Sequence, residues 1–160
     1  MLRGGLPGAH WIEPDSYHLT LRFIGDVDGV MAREIAVLLG QIRRASFELT
    51  LDGLESFVGR KPRAVYAAVK PHRALLELQA DHELLCQRLG QEAERKFTPH
   101  VTLARLRQSS SRQVADYLAP RADFRAGPFP VTRFVLLSSR DSVGGGPYVT
   151  EAVYPLSDVQ

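Results

Sequence analysis

A single cysteine, Cys86, in 160 residues leaves no partner for an internal disulfide and too few thiolates for a multi-cysteine zinc site. It suits a reducing compartment, so a cytoplasmic location is the expectation. No apolar run approaches bilayer-spanning length, and the opening MLRGGLPGAHWIEP lacks the apolar core of a secretion signal. Neither sign of charge dominates: 20 Lys and Arg face 18 Asp and Glu, a net of +2. That balance permits an anionic ligand but lacks the dense basic block of a strong nucleic-acid binder. There is no low-complexity tract and no linker. The length suits one domain spanning 1–160, or two small lobes sharing a core. No membrane contact and no obligate protein partner are expected.

What the chain does have is clear periodicity. Residues 17–24, YHLTLRFI, alternate as a strand does. His18, Thr20 and Arg22 share one face; Leu19, Leu21 and Phe23 share the other, which makes Phe23 a core residue. GDVDG at 25–29 is turn chemistry, and Asp28 is placed to cap a helix from Val30 to Arg44, with Arg43 and Arg44 in its last turn. Strands are expected at 47–58 and 64–71. A helix at 72–90 carries Leu75, Leu78, His82, Leu85 and Leu89 on one stripe. Another strand covers 99–106 and a short helix 109–121. The tail reads as two strands, FPVTRFVLLSSRD and PYVTEAVYPL, joined by a loop containing SVGGG at 142–146. The order β-α-β-β-α-β-α-β-β favours an α+β fold over a doubly wound parallel sheet.

One pattern stands out from this background. HLTL at 18–21 returns as HVTL at 100–103. Five histidines and six threonines in 160 residues give roughly 0.2 expected His-x-Thr triplets, and two copies with flanking apolar residues arise in fewer than about one random chain in a thousand. Each motif is followed by a turn and a helix, as a duplicated unit with approximate twofold symmetry would be.

The residue types point to a chemistry. On a strand, each histidine shares a face with a threonine hydroxyl about 6.5–7 Å further on. Two such strands side by side bring two imidazoles and two hydroxyls together. One neutral imidazole can take a proton from water while an imidazolium opposite gives one to a leaving oxygen. The hydroxyls can donate to non-bridging phosphate oxygens. The set has no carboxylate pair, no cysteine nucleophile and no metal-ligand spacing. It suits in-line displacement at phosphorus, as in opening a cyclic phosphodiester.

HLTL and HVTL resemble the paired signature of the 2H phosphoesterases. YHLTLRFIGDV and FTPHVTLARL are similar to the RNA 2',3'-cyclic phosphodiesterases, also called 2'-5' RNA ligases. The closing LLSSRDSVGGGPYVTEAVYPL fits as well, so the likeness covers nearly all of residues 8–157. It implies a two-lobed α+β fold, with antiparallel sheets flanking a central cleft and a pseudo-twofold internal repeat. It implies hydrolysis of a terminal 2',3'-cyclic phosphate on RNA, tRNA fragments included, to a 2'-phosphate. No cofactor and no metal are implied, and 2'-5' RNA ligase activity is implied as a further possibility. It assigns His18 as the acid and His100 as the base, roles the sequence itself leaves open. It assigns Thr20, Thr102 and Arg105 to the phosphate. Strict alternation puts Arg105 on the face away from His100, so the strand must end or bulge near Ala104, or the side chain must reach round the rim. Measured against the family, the opening strand and most of the first helix are expected to be missing, leaving a sheet edge and an apolar gap exposed.

Other residues carry weaker signals. His82 is expected in the core, and Cys86 as a small helix residue. Tyr17, Phe23 and Trp11 are aromatic candidates for base stacking as well as for packing, and Arg60, Lys61 and Arg63 for an RNA backbone as well as for solvent. Two other functions stay open: a 2H enzyme acting on a small cyclic nucleotide, and a non-catalytic module binding RNA ends.

Overall fold

The computed structural model describes residues 2–57, 61–94, 96–139 and 148–158. Two compact units emerge, each assembled from three stretches of chain. The first takes Met1–Thr20, Thr50–Lys70 and Thr98–Pro128; the second takes Leu21–Leu49, Pro71–Phe97 and Phe129–Gln160. In chain order the elements are β1 (Ala9–Trp11), α1 (Gly29–Leu39), β2 (Phe47–Glu55), β3 (Ala64–Val69), α2 (Arg73–Arg88), β4 (His100–Leu106), α3 (Ser111–Leu118), β5 (Arg125–Val131), β6 (Arg133–Ser138) and β7 (Val149–Pro155). One sheet has the order β1-β4-β3-β2-β5 and the other is the pair β6-β7. β4 runs antiparallel to both β1 and β3, and β6 to β7. This is the α+β class that the sequence predicts.

The first unit builds its core on one face of its sheet. Leu54 of β2, Val65 and Ala67 of β3, and Leu103, Ala104 and Leu106 of β4 pack with Leu6 and with Val114 and Tyr117 of α3. Burying each of the larger side chains stabilises the unit by about 1.5–3 kcal/mol. The helix starts where it does because Ser110 and Gln113 form a reciprocal capping box. Trp11 lies against Tyr117, ring centroids 5.7 Å apart, so its role is packing.

The second unit gathers Ile35 and Leu39 of α1, Leu75, Leu78, His82 and Cys86 of α2, and Phe134 of β6, all buried. Phe134 stacks on Tyr154 at 5.0 Å and receives His82 edge-on at 4.6 Å. His82 Nδ1 bonds the Leu78 carbonyl at 2.8 Å, and burial pushes its imidazole pKa down. It is thus the core histidine that its helix stripe predicts.

Several expectations need correction. Residues 17–24 do not form a strand; only Leu19 makes a bridge, to Val101. The backbone beyond it is satisfied by side chains rather than by a ladder. Arg22 Nη1 donates to the Phe23 carbonyl at 2.7 Å, and the Phe23 N–H donates to Glu94 at 3.3 Å. Phe23 is therefore 68% exposed, not a core residue. α1 ends at Leu39 with Gly40 as its cap, so Arg43 and Arg44 lie beyond it. Arg44 instead pairs with Asp81 and Glu77 of α2. β2 stops at Glu55, and the expected strand at 129–141 divides at Thr132 into β5 and β6. The SVGGG loop lies outside the described residues.

Arg22 anchors the second unit. Its side chain is 5% exposed and meets Glu83 through Nε at 2.8 Å and Nη2 at 3.4 Å. The guanidinium also donates to Gln91 and to the Glu92 carbonyl. The hydrogen bond from Arg22 holds the Glu83 carboxyl below its usual range. Arg22→Met leaves that carboxylate unpaired and is expected to cost roughly 3 kcal/mol in urea unfolding. The lowered Glu83 pKa adds stability that is full above the unfolded carboxylate value and lost as pH falls through the folded one. The acid limb of the stability profile should flatten in Arg22→Met. A loss under about 0.5 kcal/mol, the scale of a surface pair, would refute this role.

Candidate active site

The first motif is tied to the second at one point. Leu19 bridges Val101 in antiparallel sense, and both lie in the first unit. That register sets His18 opposite Thr102 and Thr20 opposite His100. Directly opposed Cβ atoms lie about 4.5–5.5 Å apart and diagonal neighbours roughly 7–8 Å. Continued one residue to either side of the bridge, that register places the histidines on one diagonal of a four-residue patch and the threonines on the other.

Both imidazoles are fixed in the same way. His18 Nδ1 bonds the Ser16 carbonyl at 2.9 Å, and His100 Nδ1 bonds the Thr98 carbonyl at 2.6 Å. In each case the acceptor lies two residues back along the chain. A carbonyl only accepts, so Nδ1 must carry the proton. In a neutral ring Nε2 is then the lone-pair nitrogen, and in an imidazolium it is the second donor. The repeat seen in the sequence is therefore also a repeat of ring orientation.

A β-bulge accounts for Arg105. Ala68 faces His100, Ala67 faces Val101 and Tyr66 faces Thr102; the register then slips, with Val65 facing Ala104 and Ala64 facing Arg105. Leu103 is the extra residue. Leu103 and Ala104 are consecutive and both buried, at 3% and 0% exposure. The inserted residue returns the exposed Arg105 to the face of His100 and Thr102. His10 of β1 lies opposite it.

Two aromatic rings flank the second histidine, and the sequence did not single out either. Tyr66, in register with Thr102, has its ring 5.1 Å from the His100 ring. Phe57, just past the end of β2, lies 5.1 Å from His100 and 4.3 Å from Tyr66. Tyr66 donates its hydroxyl to Glu55 at 3.0 Å. Burial and then that bond push its pKa up to about 12, so it remains a neutral donor. The only sequence signal for Tyr66 is a hydroxyl-bearing ring inside the apolar AVYAAV; its placement depends on the β3–β4 register. Of the basic turn, Lys61 and Arg63 are exposed, while Gly59 and Arg60 lie outside the described residues. Among the described residues no group of three or more His, Cys, Asp or Glu could hold a metal ion, and no helix is long and apolar enough to cross a membrane.

Comparison with known proteins gives a consistent family. The model of the 2'-5' RNA ligase superfamily matches residues 8–142. A curated RNA 2',3'-cyclic phosphodiesterase of Geobacillus stearothermophilus is 36% identical over 104 residues, covering 62% of this chain and 33% of that protein. One from Aeropyrum pernix is 36% identical over 99 residues, 60% of this chain and 56% of its own. The chain thus spans a third to about half the length of these two relatives. One from Thermotoga maritima is 31% identical over 135 residues, 82% of this chain and 71% of its own. Among solved structures, E. coli LigT complexed with 3'-AMP superposes with a TM-score of 0.75 at 27% identity, covering 93% of this chain and 82% of that one. The TT0787 protein of Thermus thermophilus gives 0.73 at 26% identity, covering 96% and 85%.

The shared anchoring makes a spectroscopic prediction. Long-range nitrogen–proton spectra of the neutral imidazoles should show His18 and His100 both as the Nδ1–H tautomer. An Nε2–H tautomer at either ring would remove the equivalence of the two motifs.

Proposed function

The chain belongs to the 2'-5' RNA ligase superfamily, and on that footing we propose that it hydrolyses a terminal 2',3'-cyclic phosphate on RNA to a 2'-phosphate. The observation that carries this reading is the pair of alike anchored histidines, each two residues before a threonine, in two segments joined by the Leu19–Val101 bridge. The names of the relatives from Geobacillus, Aeropyrum and Thermotoga support the same reaction.

In this mechanism the phosphate lies between the two imidazoles. His100, neutral, takes a proton from water through Nε2 as the water oxygen bonds to phosphorus. The P–O3' bond breaks on the opposite side, and His18, as imidazolium, gives its Nε2 proton to the leaving 3' oxygen. The products are a 2'-phosphate and a 3'-hydroxyl. His100 ends with the added proton and His18 without its own, and exchange with solvent resets both. The Ser16 and Thr98 carbonyls face the Nδ1–H groups and stabilise each ring while it is cationic. Thr20 and Thr102 donate to the non-bridging oxygens, and Arg105 supplies positive charge from the same face. Every proton transfer has a protein group to perform it, so no step calls for a metal.

The first test uses an oligoribonucleotide ending in a 2',3'-cyclic phosphate, with EDTA present. The chain should release the 2'-phosphate with a bell-shaped pH–rate profile. His18→Ala and His100→Ala should each lower kcat by about a hundred- to ten-thousand-fold. Saturable, salt-sensitive binding without product would sink the enzymatic reading and leave a module for RNA ends. Turnover of mononucleotides but not of oligonucleotides would shift the substrate to small cyclic nucleotides.

Arg105 has its own signature. Arg105→Ala should raise KM for the same substrate about tenfold, the scale of one charge-assisted contact, with kcat falling less. An unchanged KM would return Arg105 to the role of a solvated strand-end residue.

A further inference from the structure

We propose that Phe57 is the platform on which a nucleobase of the substrate stacks, making the site a reader of nucleosides rather than of phosphate alone. The inference rests on the cyclic phosphodiesterase reading and adds a recognition element to it. Phe57 is 47% exposed, so its ring offers open apolar surface beside His100. Its ring is nevertheless held in place. It lies 4.3 Å from Tyr66 at a 32° tilt and meets His100 edge-to-face at 5.1 Å and 88°. Tyr66 is itself 5% exposed and tethered through its hydroxyl to Glu55. An exposed ring with a fixed ring behind it loses little side-chain freedom when a planar ligand settles on it.

The chemistry of the neighbours selects the ligand. Two imidazoles, two threonine hydroxyls and Arg105 share the face beside Phe57, a set suited to phosphate. A planar group a few bonds from a phosphate is what a nucleotide offers. In a nucleoside 2',3'-cyclic phosphate the base is attached to C1', next to the carbon that bears the 2' oxygen. With the phosphate at His100, a ring 5.1 Å from that imidazole is within the span of one nucleotide. Stacking uses the π-face that all bases share, so the platform tolerates any base.

The test compares adenosine 2',3'-cyclic phosphate with methyl riboside 2',3'-cyclic phosphate, which keeps the reacting ring and lacks a base. The chain should prefer the adenosine compound in kcat/KM by about 5- to 150-fold, the range of one base–aromatic stack. Phe57→Ala should collapse that preference through KM. Phe57→Tyr should retain it, and Phe57→Leu, which restores bulk without a π-face, should not. A preference unchanged in Phe57→Ala, or restored by Phe57→Leu, would overturn the platform and leave Phe57 as packing for His100. Equilibrium binding of adenosine 2'-monophosphate against methyl riboside 2'-phosphate gives the same comparison without turnover. If neither cyclic compound nor the cyclic-phosphate oligoribonucleotide is hydrolysed yet Phe57→Ala still abolishes the binding preference, the enzymatic reading falls and the platform stands. If binding shows no preference for the base, the platform falls whatever the turnover.

Discussion

One backbone bridge, Leu19 to Val101, sets the geometry of everything chemical in this chain. The first motif lies in no regular strand, and this bridge registers it against β4. Slide it by one residue and His18 and Thr20 turn to the opposite face. Slide it by two and the histidines no longer sit diagonally across from one another. β4 is the fixed member of the pair. It is held between β1 and β3 and backed by the core through Leu103, Ala104 and Leu106. The irregular half of the site is thus registered against the rigid half.

The core and the site are opposite faces of the same two strands. Val65 and Ala67 of β3 point into the core, so Tyr66 between them points away and meets His100. The same logic applies to the bulge at Leu103. Without the extra residue, keeping Leu106 in the core would leave Arg105 and His100 on opposite faces. With it, two consecutive residues are buried and the strand re-enters its alternation one step later. The bulge reconciles two demands on one strand: apolar residues for the core on both sides of it, and polar residues for the site on both sides of it.

Much of this was legible in the sequence because it was written locally. The paired HLTL and HVTL, the helix stripe holding His82, the Asp28 cap of α1 and the α+β order all depend on residues close together in the chain. That Arg105 is out of phase with His100 was legible too; whether the strand ended, bulged near Ala104 or let the side chain reach round the rim was not. What alternation alone got wrong was 17–24. The pattern is that of a strand, but Arg22 and Glu94 take up the backbone groups a ladder would use, and Phe23 ends exposed. Phe57 and Tyr66 were missed for another reason. Their importance comes from the β3–β4 register and from where β2 stops, and neither leaves a mark on the residues themselves.

The superfamily's description and the name shared by the curated relatives denote two reactions, and the proposed mechanism has a form for each. In hydrolysis the nucleophile is water and the bond broken is P–O3'. In ligation the 5'-hydroxyl of a second RNA takes the place of water, the same bond breaks, and a 2'-5' linkage results. The acid and the base keep their stations; only the group on the base side changes. Microscopic reversibility then requires the pair to exchange roles when the linkage is cleaved. On the proposed roles, two rings anchored alike through Nδ1 suit that exchange. The balance between the outcomes lies outside the histidines. Water is the solvent, whereas a second RNA end must be held in place long enough to compete. A groove that positions a second strand favours joining, and one that recognises a single terminal nucleoside favours hydrolysis. On the proposed reading of Phe57, the aromatic surface beside His100 is a feature of the second kind.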